Sequence, residues 1–360
     1  QIKVQEQAKP QRQPENVLGF FQVDPLEIEI GYNLIPLTDE AQGGDLLDRL
    51  SLVRRQCALE LGIYVRPIRI RDNLQLGANQ YVFKLHGIEA ASGEILPGYW
   101  LAMNPGGLEE EITGIPTKEP TFGLPAWWVT YDEKEKLELK GFTVVDPTTV
   151  LVTHLTEFIK TNAAELLGRQ EVKDLLDKVK ETSPAVVEEL VPELLSYGEV
   201  QKVLQNLLAE RIPIRNLVTI LEVLADSARV TRDIDYLTES VRGALRRTIS
   251  KLYGGPEGKL KVITLHPEVE QALAESMQKT QNGSYPVLKP EVTQRVFDSL
   301  TPLVERMAMM GVQPVVLCSS KVRLLFRRLT ERYLPNLVVL AYGELLPDLE
   351  VESVGTVMLK

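Results

Sequence analysis

The pattern of hydrophobic and polar positions divides the first part of the chain into strand-like and helix-like stretches. Between residues 26 and 30, Leu and Ile alternate with Glu, a period of two that predicts a half-buried β-strand. Asp45 then precedes apolar positions that recur every three or four residues, which predicts a capped amphipathic helix. These positions are Leu46, Leu50, Val53, Cys57 and Leu61. Further strand-like stretches follow at RPIRIRDNLQL, NQYVFKLHGIEAAS and LPGYWLAMN.

The pattern changes between Asn104 and Asp146, where Gly, Pro, Thr and acidic residues dominate. Strand-like sequence returns only near the end of this stretch, at WWVTY and GFTVV. A helical period resumes in DPTTVLVTHLTEFIK. We therefore expect a small, loop-rich, β-containing module inserted into the first region.

The second half of the chain predicts helices followed by an alternation of strands and helices. Four helical patterns lie between Gln170 and Ser250, and strands are predicted at KVITL, PVVLCS and NLVVLAY with helices between them. This alternation is typical of an α/β domain with a partly parallel sheet. The expected fold class is therefore an α+β multi-subdomain fold.

We expect the chain to divide into six parts. They are a flexible linker (1–25), a first α/β subdomain (26–97 plus 147–166), a β-rich insert (98–146), a helical subdomain (167–246), a C-terminal α/β subdomain (247–345) and a C-terminal tail (346–360).

The amino-acid composition and net charge limit the kinds of molecule that the protein is expected to bind. The 360 residues are 44% hydrophobic and 25% charged, which suffices for sizeable cores. A net charge of -10 is opposite in sign to that of most nucleic-acid binders, so we expect no nucleic acid partner. Two cysteines cannot form a disulfide framework, and no apolar window approaches the length of a membrane span.

The sequence predicts no catalytic site, metal site or cofactor. It contains neither GxxxxGK[ST] nor a GxGxxG after a strand, and its three histidines, His86, His154 and His266, lack metal-binding spacing. Cys318, at the end of a predicted strand, is the one candidate nucleophile for a small-molecule enzyme. An apolar strand-end cysteine is more typical of a buried core.

Large apolar residues in the insert leave two interpretations open. They are Met103, Pro105, Phe122, Leu124, Trp127 and Trp128. Such residues in a loop-rich segment can form a shallow apolar dimple on the surface. They can equally form the insert's own small core, because a small module has few residues to bury.

Four segments together resemble the cytoplasmic domain of the type III secretion export gate family, in its flagellar branch. They are GYNLIPL, IRDNLQL, GFTVVDPTTVLVTHL and VPELLSYGEVQKVLQNLLAERIPIRNLVTILEVLAD. The resemblance implies a non-enzymatic docking platform, tethered by the linker to a transmembrane region at the cytoplasmic face of the bacterial inner membrane. It also implies four subdomains and a nonameric ring. The partners implied are flagellar export chaperones carrying late substrates, the export ATPase complex and membrane proteins of the export gate.

The resemblance further implies that chaperones bind at a dimple between the first subdomain and the insert. Its residues would be Met103 and Pro105 in AMNPG, Phe122 and Leu124 in EPTFGL, and Val145 and Val150 in TVVDPTTV, with Glu119 and Thr153 at the edge. Members of the family often have Asp at the position of Glu119.

Two questions remain open from the sequence. Phe20 and Phe21 are candidate contacts between the linker and a neighbouring subunit, or else they begin the first core. A virulence export gate is the nearer functional alternative, and it would differ in the chaperones that it binds.

Overall fold

The computed structural model describes residues 23–106, 112–255, 258–280 and 283–359, and these fall into two compact units. One unit comprises the residues up to Leu52 together with Arg66–Leu155, and the other comprises Val53–Val65 together with the residues from Thr156 onward. This division is coarser than the four subdomains expected, whose boundaries therefore stay a prediction. Phe20, Phe21 and most of the expected linker lie outside the described residues.

The first unit is built from two four-stranded sheets with helices beside them. Its elements, including two helices that continue into the other unit, are β1 (Leu26–Ile30), α1 (Leu46–Glu60), β2 (Arg69–Asp72), β3 (Gln80–Leu85), β4 (Ile88–Glu94), β5 (Trp100–Met103), β6 (Ile115–Lys118), β7 (Pro125–Val129), α2 (Tyr131–Leu139), β8 (Thr143–Val145) and α3 (Pro147–Thr161). The first sheet has the order β2-β1-β3-β4, with β1 parallel to β2 and antiparallel to β3. The second has the order β6-β7-β5-β8, with antiparallel pairs.

The periodic patterns at the start of the chain correctly identify β1 and α1. The three apolar residues of β1 are buried and its two glutamates are half-buried, as an alternating strand requires. Helix α1 begins directly after Asp45, and its apolar stripe from Leu46 to Leu61 is buried.

Two elements of the insert were not predicted from the sequence. Helix α2 has the sequence YDEKEKLEL and buries only Leu137, so it carries almost no apolar period. Strand β6 lies at the edge of its sheet and contains Pro116, which lacks an N–H group for a strand ladder.

The second unit begins with a run of helices. They are α4 (Ala163–Leu166), α5 (Arg169–Lys180), α6 (Pro184–Leu190), α7 (Tyr197–Ala209), α8 (Leu217–Ala228), α9 (Ile234–Ala244) and α10 (Arg246–Tyr253). More helices than the four expected lie between Gln170 and Ser250, because α6 is short and α10 follows α9 after the single residue Leu245.

A parallel sheet completes the second unit. The elements are β9 (Lys259–Leu265), α11 (Pro267–Glu275), β10 (Met277–Thr280), β11 (Gly283–Pro286), α12 (Pro290–Met309), β12 (Val315–Cys318), α13 (Arg323–Thr330), β13 (Val338–Ala341) and β14 (Glu350–Val357). The sheet order is β13-β12-β9-β14 and each neighbouring pair is parallel. The α+β fold class is therefore confirmed.

The structure differs from the sequence-based expectation at the C-terminal end of the described residues. Residues 346–360 were expected to form a tail, yet β14 pairs with β9 along its whole length and ends at the buried Val357. Its sequence EVESVGTV is exposed in the first half and buries only Val357, as an edge strand allows, and so it lacks the apolar run of a central strand. In the described ranges, no helix combines the length and the apolar character that crossing a membrane requires.

Candidate functional site

A tight turn between β6 and β7 presents two large apolar side chains to solvent. Residues 119–124 form this turn, which we call the Phe122 turn. It is closed by hydrogen bonds from Glu119 N to Leu124 O (2.8 Å) and from Gly123 N to Glu119 O (2.9 Å). Gly123 has a φ of 70°, a left-handed conformation that favours glycine. Phe122 is 66% exposed and Leu124 is 53% exposed.

The Glu119 side chain lies beneath this turn and organises it. The carboxylate accepts hydrogen bonds from Thr121 N through Oε1 (2.8 Å) and from Phe122 N through Oε2 (2.7 Å). Only 5% of Glu119 is exposed. The structure therefore places Glu119 under the turn and not at an accessible edge, and its direct contact with a partner stays a prediction.

A buried histidine of α3 packs against the first sheet. His154 of α3 is 9% exposed, and its Nδ1 lies 2.8 Å from the hydroxyl oxygen of Tyr81 in β3. Burial lowers the pKa of His154, and the nearby carboxylate of Glu119 opposes that shift. Burial, together with the same carboxylate, raises the pKa of Tyr81 well above its ordinary value.

The start of α3 carries two further residues expected at the dimple, Val150 and Thr153. Asp146 Oδ1 accepts a hydrogen bond from Thr149 N (3.0 Å), and Arg49 Nη1 donates to Thr149 Oγ1 (2.6 Å). Burial tends to raise the pKa of Asp146, but hydrogen bonds from Thr149 and Arg49 leave it below its ordinary value. This network fixes the beginning of the helix that carries Val150 and Thr153.

The expected dimple residues differ in accessibility. Pro105 and Thr153 are exposed, Met103 and Val145 are half-buried, and Val150 is buried. Met103 ends β5 opposite Ala126 of β7, which places it at the same end of the sheet as the Phe122 turn. Val150, in contrast, has almost no surface available for direct contact.

The apolar residues of the insert divide between the two interpretations left open by the sequence. Trp128 is buried, and Trp127 packs against the cluster of Ala102, Val129, Leu137 and Phe142. Trp127 thus belongs to the small core of the insert, whereas Trp128 is buried on the opposite face of β7. Phe122 and Leu124 stay outside this core.

No pattern in the sequence predicts the contact between His154 and Tyr81. Spacing rules search for partners within a few residues, whereas Tyr81 lies on a distant strand that the fold brings next to α3. Only a topology that pairs β3 with β1 and packs α3 on it would have revealed the contact.

The chemistry proposed for Cys318 has no support in its surroundings. The thiol is buried, its Sγ lies 3.6 Å from Leu340 O, and burial raises its pKa far above that of a free thiol. Within the described residues, no cluster of His, Cys, Asp or Glu has the arrangement of a metal site.

Sequence comparisons connect the chain with one family. The model of the FHIPEP family matches residues 1–350. The flagellar biosynthesis protein FlhA of Bacillus subtilis (strain 168) is 46% identical over 346 residues, which are 96% of this chain and 51% of that relative. The chain thus spans about half the length of the curated relatives it matches.

Solved structures share the fold over nearly the whole chain. The Chlamydia pneumoniae CdsV protein superposes with a TM-score of 0.83 at 27% identity, covering 93% of this chain and 98% of that one. A complex of C. pneumoniae CdsV and CdsO matches with a TM-score of 0.80 at 27% identity, over 94% and 98% of the two chains. Nonameric SctV-C from EPEC has the same fold, with a TM-score of 0.76 at 24% identity over 93% and 98%.

Proposed function

The chain belongs to the FHIPEP family, and from that premise we propose that it forms the cytoplasmic docking platform of a flagellar type III protein export gate. The platform receives export chaperones that carry late substrates, and it also meets the export ATPase complex and membrane proteins of the gate. Its place is the cytoplasmic face of the bacterial inner membrane. The likeness to a protein named for flagellar biosynthesis supports the flagellar assignment.

The observation that carries the docking proposal is the exposure of Phe122 and Leu124 on a fixed turn. Aromatic anchors dominate the binding energy of protein interfaces, and their effect is largest when the anchor is already held in its bound position. The Glu119 carboxylate holds the backbone of the Phe122 turn through two hydrogen bonds. An amphipathic helix of a chaperone could lay its apolar face over such anchors.

We propose that the dimple comprises Phe122, Leu124, Met103 and Pro105, with Val145 and Thr153 on the side of α3. Exposed or half-buried positions of these residues support direct contact. Val150 and Glu119 would act beneath this surface, because both are buried.

Calorimetric titration with a flagellin–chaperone complex tests the proposal. Phe122→Ala should weaken binding by about 2–4 kcal/mol if Phe122 is a central anchor, with an unchanged circular dichroism spectrum. Leu139→Ala is the matched control, because Leu139 is an apolar residue of the same unit that is 90% exposed at the end of α2. Equal affinity of wild type and Phe122→Ala for the complex would refute docking at this turn.

A virulence export gate is the second candidate function, and it is left open by the resemblance of the sequence segments to the wider export gate family. A chaperone loaded with a virulence effector, titrated beside the flagellin–chaperone complex, separates the two. The enzyme alternative predicts rapid labelling of Cys318 by a thiol reagent in the folded protein, whereas the buried thiol supports slow labelling.

We also propose that copies of this chain assemble into a nonameric ring in the complete gate. The same fold in nonameric SctV-C supports this assembly, and the CdsV and CdsO complex supports a further protein partner. Tethering in a membrane raises the local concentration, so a weak interface suffices there.

A further inference from the structure

We propose that a basic cavity in the second unit binds a phosphate-bearing small molecule, with Arg242, Arg327 and Lys261 as its principal contacts. This inference does not depend on the proposed docking function, because the Phe122 turn belongs to the first unit and the whole lining of the cavity belongs to the second. It assigns a ligand to a part of the chain in which the sequence predicts no site.

The cavity, of about 1130 Å³, opens at the amino-terminal edge of the parallel sheet. Its walls include the first residues of three neighbouring strands, Lys259 of β9, Val315 of β12 and Val338 of β13. Helices α7 and α12 contribute Ala209 and Ala308 near their last residues. A cavity of this size accommodates a small molecule.

The lining of this cavity is basic although the chain as a whole is acidic. Among the described residues that line it, five are basic and two are acidic, whereas the chain carries a formal charge of -10. The basic residues are Arg211, Arg242, Lys259, Lys261 and Arg327, and the acidic ones are Glu210 and Glu352. The carbonyl ends of nearby helices offset part of this positive charge, but their effect is limited to the last turn. The cavity therefore favours an anion.

Two guanidinium groups of the lining have a buried nitrogen that forms no hydrogen bond with any described residue. Arg242 is 1% exposed, and its Nη1 lies 3.2 Å from Glu210 Oε2 in an ion pair without the geometry of a hydrogen bond. Nε of Arg327 is likewise buried, and the nearest carboxylate oxygen, from Glu331, is 3.9 Å away. Buried donors are nearly always hydrogen-bonded, so both N–H groups suit an acceptor that enters the cavity.

The two guanidinium groups lie side by side along the outer edge of β13, which is an edge strand of its sheet. Arg242 donates from Nη2 to Val339 O (3.3 Å), and Arg327 donates from Nη1 to Leu337 O (2.9 Å). Carbonyl groups two residues apart on an extended chain point in the same direction, roughly 6–7 Å from each other. One phosphate-bearing group can therefore accept hydrogen bonds from both arginines.

Lys261 of β9 adds an ammonium group to the same cavity. It is half-buried and pairs in register with Glu352 of β14. Its neighbour Lys259 forms an ion pair with Glu350 at 3.4 Å, whereas Lys261 has no such carboxylate within ion-pair distance among the described residues. Lys261 is therefore the lysine of this strand that is available to a ligand.

Phosphate suits these donors better than an acidic segment of a partner protein does. The fork of a guanidinium group matches phosphate oxygens, and one phosphate offers acceptors to donors that converge from different elements. A partner strand would need free backbone groups at the sheet edge, but arginine side chains already occupy the carbonyl groups of Leu337 and Val339. Apolar lining residues such as Leu252, Tyr253 and Pro314 leave room for an organic group beside the phosphate.

Calorimetric titration of the 360-residue chain with pyrophosphate, in a buffer without phosphate, tests the site. Wild type should bind with a dissociation constant below about 1 mM. Lys261→Gln should weaken binding by about tenfold, because it removes a charge-assisted hydrogen bond. Lys202→Gln is the matched control, since it removes the same charge from an exposed position of α7 outside the cavity. Equal affinities of wild type and Lys261→Gln would overturn the proposal, and so would a wild type that does not bind.

The NMR signal of the Arg327 Nε–H group locates the bound anion. It should shift during the titration with the midpoint that calorimetry gives. The signal of Arg328 should stay in place, because its guanidinium group is paired with Asp235 (2.8 Å) and does not line this cavity. An Arg327 signal that ignores bound pyrophosphate would place binding elsewhere and refute the site.

Two further ligands separate the sources of the anion. Tighter binding of ATP than of pyrophosphate would support the site and identify a nucleotide, and equal affinities would support recognition of the phosphates alone. Hexaglutamate that binds more tightly than both would overturn the proposal in favour of an acidic protein segment. Arg327→Lys provides a second variant if Lys261→Gln does not fold. It keeps the charge but removes the Nε–H donor, so unchanged affinity for pyrophosphate would refute the assigned contacts.

Discussion

At the scale of single residues, a buried carboxylate explains how a surface turn can hold an apolar side chain in place. Glu119 supplies both acceptors for the amides of Thr121 and Phe122, which would otherwise rely on water. The exposed ring and the buried acid are thus parts of one local structure. The acid sets the backbone, and the ring provides the contact area.

Glu119→Ala should weaken docking although Phe122 is still present. The substitution leaves two amide N–H groups without their acceptors, and we expect a loss of roughly 1–3 kcal/mol in the free energy of unfolding. Urea denaturation and calorimetry with the flagellin–chaperone complex measure the two effects. Glu89→Ala, at an exposed position of β4, should change neither, and an equal loss in both variants would speak against a specific role of Glu119.

The sequence indicates which apolar residues lie in the loop-rich insert, but it does not indicate the contacts buried beneath the Phe122 turn. Phe122 and Leu124 stand in a loop-rich segment and were named from a resemblance of local motifs, for which distant contacts are not needed. The resemblance places Glu119 at the edge of the dimple, but no sequence pattern shows that its carboxylate accepts hydrogen bonds from backbone groups two and three residues onward. In the sequence His154 has no nearby partner, because Tyr81, to which it is hydrogen-bonded, lies on the distant strand β3.

At the scale of elements, a capping box fixes the beginning of α7. Ser196 Oγ accepts from Glu199 N (3.2 Å), and Glu199 Oε2 accepts from Ser196 N (2.7 Å). Helix α7 buries a stripe of Val and Leu residues, so its start position determines which face meets the core.

Ser196→Ala should therefore lower the free energy of unfolding by about 0.5–2 kcal/mol. Ser183 is the matched control, because it stands at the N-cap of α6 without a side-chain capping bond. Urea denaturation of the two alanine variants compares them directly. A loss at Ser183 as large as that at Ser196 would show that the capping bonds contribute little.

The elements that sequence patterns identify are those that bury a repeated stripe. Strand β1 and helices α1 and α7 each bury several apolar residues at the period of their secondary structure. Helix α2 buries a single leucine and β14 buries only Val357, so neither produces a periodic signal. Their conformation depends on neighbouring strands, which a local pattern does not contain.

At the scale of the whole chain, a buried network of charges joins helices of the second unit with its parallel sheet. Arg323 of α13 is fully buried and donates from Nη1 to Glu210 (2.7 Å) and from Nε to Glu239 (2.7 Å). Arg242 of α9 donates from Nε to Glu344, 2.6 Å away, just beyond β13. The network satisfies charges that would otherwise be costly to bury.

Arg323→Met should destabilise the protein by about 3–5 kcal/mol, because it leaves Glu210 and Glu239 without a principal partner. Thermal and chemical denaturation measure this loss. Arg332→Met, at an exposed position shortly after the same helix, should have little effect. Similar unfolding curves for Arg323→Met and the wild type would contradict a stabilising role of the network.

Lowering the pH should weaken the same network by protonating the carboxylate of Glu210. Burial tends to raise the pKa of Glu210, but Arg242 and Arg323 lower it to about 2. Because the pKa of Glu210 is lower in the folded protein, the folded state binds the proton less tightly than the unfolded chain does. The stabilisation that ionised Glu210 provides is therefore complete above the unfolded pKa and is lost as the pH falls from about 4.5 to 2. Glu210→Gln should show less of this loss in denaturation curves recorded across that range, and an unchanged acid profile would contradict the assignment.

The order of strands in the parallel sheet has a consequence for synthesis on the ribosome. Strand β9 lies between β12 and β14, and both neighbours follow it in the chain. Newly made β9, which carries the apolar residues Leu260, Val262 and Ile263, therefore has two open edges until β12 is made and one open edge until translation has passed Val357. Open apolar edges favour aggregation, so the interval between the translation of β9 and that of β14 is the stage at which the nascent protein most needs protection.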